Sequence, residues 1–188
     1  MPSAPTVSFR RMRDATVADF ELIERNDEAT ARLLPERVLA LVRMLAEDDG
    51  AYRISRLRHC LQAATRAERD GADDDWIVAC LLHDAGDVVA PFTHGQVAAE
   101  ILRPFVREEV VWTVRQHGLF QLYYNPTLPP ERRRARERFA DHPHYAATVD
   151  FCERWDQCSF DPDYRDEPIE HFEPLVRACL TRTPRDLG

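Results

Sequence analysis

Apolar residues at helical spacing are the feature that most constrains the fold of this chain. Val38, Val42 and Leu45 lie three or four positions apart, and similar stripes recur along most of the 188 residues. This period is typical of amphipathic α-helices, and no segment alternates apolar and polar residues convincingly, as a half-buried strand does. The sequence therefore predicts an all-α fold.

Capping residues and helix breakers indicate where the helices begin and end. Gly71 and Pro104 are clear interruptions, because glycine favours helix ends and proline cannot continue a helix. The predicted helix starts are Thr16, Pro35, Ile54, Asp73, Thr93, Glu108, Tyr145 and Pro168. A chain of 188 residues is typical of one domain. We therefore expect a single helical bundle, in which N-terminal helices within residues 1–50 pack on a core formed by residues 51–188.

Charge and hydropathy exclude two classes of protein. The formal net charge is −8 and the isoelectric point is about 5.4, which argues against nucleic acid as the main partner. No apolar run approaches the ~20 residues of a membrane span, and residues 1–13 do not resemble a secretion signal. Five scattered cysteines without a CxxC pair are typical of reduced core thiols. We therefore expect a cytoplasmic protein whose cysteines carry no chemistry.

The sequence contains no lysine, so all 25 basic residues are arginine. Codon bias in a GC-rich genome explains this composition without reference to function. It nevertheless excludes mechanisms that need a lysine as a base, a Schiff-base former or a phosphate ligand.

Four of the seven histidines form two pairs at helix-hairpin spacing. His59 and His83 are 24 residues apart, and His94 and His117 are 23 residues apart. Two helices joined by a turn can bring such a pair of imidazoles together, and bundle cores are common places for metal sites. One histidine on an apolar helix is more often a hydrogen-bonded core residue. Two pairs near a buried aspartate favour metal binding.

The dipeptide His83-Asp84 is the most informative feature of this region. Adjacent side chains on a regular helix point about 100° apart, so both can face one site only where the helix ends, as Gly86 predicts. The apolar run before the dipeptide places the carboxylate in a low dielectric, where a metal cation would compensate its charge. The remaining histidines are interpreted as surface residues: His142, His144 and His171.

The segment SRLRHCLQAATRAERDGADDDWIVACLLHDAGD resembles the HD-domain superfamily of metal-dependent enzymes. Within it, RHCLQAATRA followed by CLLHDAGD is similar to the mixed-valent diiron oxygenases, a branch that includes myo-inositol oxygenase and HD-domain phosphonate-cleaving oxygenases. The resemblance extends from about Tyr52 to Tyr164, and the N-terminal fifty residues have no counterpart in it. It implies a helical bundle with a metal site in its core.

The resemblance also implies a set of metal ligands. The six residues that would hold two iron ions are His59, His83, Asp84, His94, His117 and Asp156. Asp84 would bridge the two ions, with His59, His83 and Asp156 on the first and the other histidine pair on the second. Asp156 comes from RWDQCSFDPDY, which is similar to the late aspartate segment of the family, and Asp150 is the alternative for this ligand.

The number of ligands bears on the reaction. The pattern of many HD phosphohydrolases is one metal held by four ligands. In this chain His94 and His117 would add ligands for a second ion. Four imidazoles with two carboxylates suit iron better than magnesium. Dinuclear HD phosphodiesterases also have extra histidines, so a phosphohydrolase with manganese or magnesium stays an alternative. Its phosphate contacts would come from Arg56, Arg58, Arg115 or residues 132–134.

Relatives in the resembled family often have the motif HDxGK, whereas this chain has HDAGD, so Asp87 takes the position of the lysine. A carboxylate there would repel a phosphate, so Asp87 either faces an ammonium or hydroxyl group of the substrate or caps a turn. Further candidates for contact with substrate are Gln62, Tyr52, Phe120 and Tyr124, although the last two can equally be core or turn residues. The resemblance thus implies an oxygenase that uses O2 on a small hydroxylated substrate, which can also carry an amine.

Overall fold

The computed structural model describes residues 5–47 and 51–185, and all its regular elements are helical. Nine α-helices lie in the described residues: α1 Val17–Ala31, α2 Leu34–Met44, α3 Arg56–Arg69, α4 Asp74–Leu82, α5 His94–Leu102, α6 Glu108–Gln121, α7 Pro130–Arg133, α8 Tyr145–Phe151 and α9 Ile169–Leu180. No strand occurs in these two ranges, so the predicted all-α fold is confirmed.

Several helix boundaries follow from the residues that cap them. The Thr16 hydroxyl accepts the N–H of Asp19 and the Asp19 carboxylate accepts the N–H of Thr16, which is a capping box at the start of α1. Gly71, with φ 74°, ends α3 in the left-handed conformation that glycine adopts without strain. The backbone N–H of Ala72 then bonds back into α3, so the chain reverses directly into α4.

The helix predicted to start at Tyr145 changes its form before it ends. The α-helix stops at Phe151 and continues as a π-helical turn, Cys152–Asp156. The N–H of Gln157 bonds to the carbonyl of Cys152, five residues back. The wider turn changes the direction of the side chains that follow it, and such turns are frequent at functional sites. Here it carries the buried side chain of Asp156.

The core is built around α4, whose residues 77–82 are all buried. A helix that is apolar on all sides is typical of the centre of a domain. Helices α3 and α9 pack against α4, while α6 packs against α5 and α8. The central position of α4 places its C-terminal end, His83 and Asp84, inside the bundle.

The two N-terminal helices differ in how they meet this core. α2 buries Val38, Leu39 and Val42 and packs against α9, whereas α1 buries no apolar side chain. The predicted division at residue 50 falls within residues 48–50, outside the described residues, and stays a prediction. Among the helices described, none has both the length and the apolar character that a bilayer crossing requires.

Candidate metal centre

Five elements bring the six predicted ligands into one buried cluster. α3 contributes His59, the end of α4 contributes His83 and Asp84, α5 begins at His94, α6 carries His117, and the π-helical turn carries Asp156. His83 is the C-cap of α4, and Asp84 has left the helical conformation, with φ −99° and ψ 3°. Because the helix ends there, the two adjacent side chains both face the same site.

The ligand atoms form two groups, in each of which they lie within 4.8 Å of one another. The first group is His59, His83 and Asp156, and the second is Asp84, His94 and His117. The Nε2 atoms of His59 and His83 are 3.1 Å apart, and those of His94 and His117 are 3.2 Å apart. Each histidine pair thus converges on one point.

Asp84 lies between the two histidine pairs. Its Oδ1 is 3.4 Å from Nε2 of His94 and 3.3 Å from Nε2 of His117. Its Oδ2 faces the first pair, 3.8 Å from Nε2 of His59 and 3.6 Å from Nε2 of His83. One carboxylate therefore offers one oxygen to each group, which is the arrangement that a bridging ligand requires.

Hydrogen bonds at the opposite ring nitrogens fix how the imidazoles are presented. The Nδ1 atoms of His83 and His117 donate to the carbonyls of Cys80 (2.8 Å) and Val114 (2.6 Å), each three residues earlier in the chain. Nδ1 of His59 donates to the carbonyl of Ser159, at 2.9 Å. A carbonyl only accepts, so Nδ1 carries the proton and Nε2 carries the lone pair.

These contacts test whether the cluster fits metal ions. With Nδ1 protonated, the close Nε2 atoms of each pair both present lone pairs, which repel each other unless a positive charge lies between them, either a shared proton or a metal ion. Oδ2 of Asp156 is buried without a hydrogen-bond partner in the described residues, and a buried carboxylate oxygen needs a compensating positive charge. The imidazole and carboxylate donors suit a transition metal such as iron.

The ionisable groups of the cluster shift one another's pKa strongly. Burial lowers the pKa of His117, but the Asp84 carboxylate outweighs burial and raises it to about 9. Burial lowers the pKa of His83. Burial raises the pKa of Asp84, but the surrounding imidazoles hold it well below its ordinary value. The cluster therefore keeps a carboxylate ionised inside the protein, where a cation is stabilised.

Cys60 is a neighbour that sequence reasoning did not include. Its sulfur lies within 4.8 Å of ligand atoms of His83 and Asp84. Burial raises the pKa of this thiol well above its ordinary value, so the thiolate that metals prefer is disfavoured. Its place beside His59 on α3 was the only signal in the sequence.

The segment between Asp84 and His94 is packed tightly enough to position the second group. A β-carbon on Gly86 would lie 2.8 Å from Cα of His94, and closer still to its carbonyl oxygen. Backbone at such distances cannot give way without movement of α5. Glycine at this position therefore lets the start of α5 approach the end of α4.

Replacing Gly86 with alanine is expected to displace His94, lower the unfolding free energy by ~1–3 kcal/mol and weaken binding of one metal ion. Denaturant unfolding and ferrous-iron content after anaerobic reconstitution measure the two effects. Gly71→Ala is the control. Alanine is strained at the positive φ of this position and so also lowers stability, but an added β-carbon there meets no atom within 4 Å and the position is remote from the site. Normal iron content in Gly86→Ala would show that this contact does not position His94.

A cavity of about 550 Å³ opens onto the cluster. Tyr52 and Tyr124, both predicted to contact substrate, line it, and so does Phe160, which sequence reasoning missed. The Phe160 ring stacks on His59, with ring centroids 4.3 Å apart, and the Tyr52 ring lies 4.9 Å from Phe160. The only sequence signal for Phe160 was its position four residues after the predicted ligand Asp156. Further polar side chains on the cavity are Ser55, Gln121, Asn125 and Gln157.

Other predicted contact residues lie away from this cavity. Gln62 is fully buried, and its amide group bonds to the backbone of Asp161. Phe120 is fully buried against Trp112 and Tyr145. Neither side chain lines the cavity, so their contact with substrate stays a prediction.

Asp87 and Asp150 also face other groups than the sequence suggested. Asp87 pairs with Arg56 and with Nδ1 of His94 and does not line the large cavity. Asp150 is exposed and pairs with Arg154, so it lies outside the cluster. Of the three histidines interpreted as surface residues, His171 is exposed, whereas His142 and His144 are half-buried near Trp112.

Comparisons with known proteins bear on the family of this chain. The HD domain family model matches residues 35–152, which is more than half of the chain. A (1-hydroxy-2-(trimethylamino)ethyl)phosphonate dioxygenase (glycine-betaine-forming) from Leisingera caerulea is 30% identical over 95 residues, 45% of this chain and 48% of the relative. The match thus spans about half the length of that dioxygenase. The all-α bundle, the HD dipeptide at the end of its central helix and the family match together show that the chain belongs to the HD-domain family.

Proposed function

We propose that this protein is a dinuclear non-haem iron oxygenase, which uses O2 to oxidise or cleave a small hydroxylated substrate that can also carry an amine. The observation that carries the proposal is Asp84, whose two oxygens face two separate histidine pairs. Support for oxygen chemistry comes from the similarity to a dioxygenase. Iron as the metal and a small hydroxylated molecule as the substrate are both part of this proposal.

The six ligands would hold the two ions in distinct surroundings. The side chains of His59, His83 and Asp156 are at most 4% exposed, whereas His94 is 25% exposed. The second ion would therefore lie nearer to solvent, and we infer that substrate approaches from its side. Iron in this site would supply the binding of O2 and the one-electron steps of the oxidation.

The protein's own side chains would orient the substrate and keep water out. The Phe160 ring stacks on His59 and the Tyr52 ring packs against Phe160, so the two rings narrow access to the first group. Gln121, Asn125 and Gln157 offer amide donors and acceptors along the cavity, as a hydroxylated or amine-bearing molecule requires. The Tyr124 hydroxyl donates to Glu153, so this ring is held as part of the cavity wall.

A phosphohydrolase would need cationic groups for the phosphate, and three of the arginines considered for that role have carboxylate partners. Arg56 pairs with Asp87, Arg58 with Asp166 and Arg115 with Glu100. Arg58 also donates to the carbonyls of Pro162 and Tyr164. These contacts favour the oxygenase over the hydrolase.

The experiment that tests the proposal is iron analysis of anaerobically reconstituted protein, followed by partial oxidation and electron paramagnetic resonance. We expect about two iron ions per chain and the signal of a coupled Fe(II)/Fe(III) pair, as a bridged dinuclear site would give. Oxygen consumption with hydroxylated aminophosphonates is compared with phosphate release from common phosphoesters. One iron per chain, or phosphate release without oxygen consumption, would contradict the proposal.

A further inference from the structure

His94 differs from the other three clustered histidines in what lies behind its ring. The Nδ1 atoms of His59, His83 and His117 each donate to one backbone carbonyl. Nδ1 of His94 lies 3.1 Å from Oδ1 of Asp87 and 3.2 Å from the carbonyl of Pro91. The second group therefore contains the one histidine of these four that is backed by a charged carboxylate.

Asp87 is fixed on both sides. Its other oxygen forms an ion pair with Arg56, and its backbone N–H donates to the carbonyl of Asp84 at 2.9 Å. Its side chain is only 7% exposed. It borders a smaller cavity of about 250 Å³ rather than the large one, whereas Arg56 borders both. Asp87 thus lies behind the metal cluster, where a substrate in the large cavity does not reach it.

We propose that Asp87 is a positioning residue for His94 and strengthens the second metal site, an inference that rests on the proposed dinuclear function. A carboxylate that accepts the Nδ1 proton holds the ring with Nε2 directed at the metal and makes the imidazole a stronger donor. His94 needs this support most, because it is the most exposed of the four rings. Arg56 holds the carboxylate in place from the side of the cavity.

The aspartate in HDAGD therefore acts on the metal centre rather than on the substrate. Its Oδ1 lies 3.1 Å from Nδ1 of His94, which also donates to the carbonyl of Pro91, while Nε2 faces Asp84 and stays available for the ion, so one imidazole links the Asp87 carboxylate to the second group. The first group has no such carboxylate among the described contacts of His59 and His83 at Nδ1. The two ions should consequently differ in how strongly they depend on Asp87.

The test is anaerobic titration of the iron-free protein with ferrous iron, with bound iron measured after desalting. In Asp87→Ala we expect the dissociation constant of the second ion to rise about 10–100-fold, with the first ion unaffected. Asp87→Asn should lie between Asp87→Ala and the unmodified protein, because its amide oxygen can occupy the same place beside Nδ1 of His94 but carries no charge. His94→Ala, which removes the ligand itself, gives the reference titration for loss of the second ion.

Asp166→Ala is the matched control. Asp166 is 12% exposed and pairs with an arginine of α3, as Asp87 does, but its described contacts include no histidine. Its loss leaves an arginine with one partner fewer and should not change either iron affinity. Equal loss in Asp166→Ala and Asp87→Ala would overturn the proposal.

The outcomes separate this proposal from the proposed function. If the unmodified protein binds fewer than two irons, the dinuclear function fails. If the unmodified protein binds two irons and both Asp87 variants bind the second ion as tightly as it does, only the positioning role fails. If Asp87→Ala does not fold, Asp87→Asn decides the question, and an unchanged second-ion affinity in that variant overturns the role.

Discussion

Asp84→Asn is expected to reduce the iron content from about two ions to at most one and to lower the oxygenase activity more than about 100-fold. Loss of a residue that hydrogen-bonds to a metal ligand lowers metal affinity or activity about 10–100-fold. Loss of a ligand that bridges two ions should have a larger effect. An amide offers one oxygen to one group and an NH2 to the other, and the NH2 cannot ligate a metal. Since Oδ1 and Oδ2 face different histidine pairs, asparagine cannot serve both groups.

Iron analysis and oxygen consumption measure these two effects. Asp27→Asn, an exposed position on α1, removes the same charge without touching the cluster and should behave like the unmodified protein. Far-UV circular dichroism of the iron-free proteins establishes that both variants fold. Two irons with undiminished oxygen consumption in Asp84→Asn would contradict the bridging role.

Asp156→Asn and Asp150→Asn should give opposite results, although the two residues lie six positions apart on one helical segment. Asp156 is buried, with Oδ1 3.3 Å from Nε2 of His59 and Oδ2 without a hydrogen-bond partner. Its amide variant should lose the first iron and more than about 100-fold in activity, since a direct ligand is removed. Asp150 is exposed and pairs with Arg154, so Asp150→Asn should retain both iron and activity.

This pair is informative because the HD domain match ends at residue 152, before Asp156. Titration with ferrous iron and steady-state oxygen consumption compare the two variants directly. Loss of iron in Asp150→Asn with normal iron in Asp156→Asn would move the ligand to the alternative position. Loss in both would contradict the prediction and indicate a general effect of charge on the segment.

Much of the fold could be predicted because its signals are local. Thr16, Gly71 and Asp73 determine helix ends through their own backbone and side-chain hydrogen bonds. The apolar run before His83 predicted a buried helix, and α4 is buried. The π-helical turn could not be predicted, because the i to i−5 hydrogen bond of Gln157 depends on packing of the residues around it.

The candidate site was predictable to the extent that residue type reveals chemistry. The four histidines and Asp84 were selected from spacing and from the HD dipeptide, and they lie together in the structure. The roles of Gln62, Phe120 and Asp87 were not predictable in the same way. An amide, a phenyl ring or a carboxylate suits either a pocket or an interior contact, and only the neighbours decide which one it makes.

The sequence by itself determined the helical bundle, the family and the inventory of side chains that could bind metal, because periodicity, caps and residue chemistry are properties of the chain. The tertiary structure decided which oxygen of Asp84 faces which histidine pair, that Asp156 rather than Asp150 completes the first group, and that Asp87 lies behind His94. These are relations between elements distant in sequence. They depend on ångström-scale packing of the helices, which no local signal in the sequence specifies.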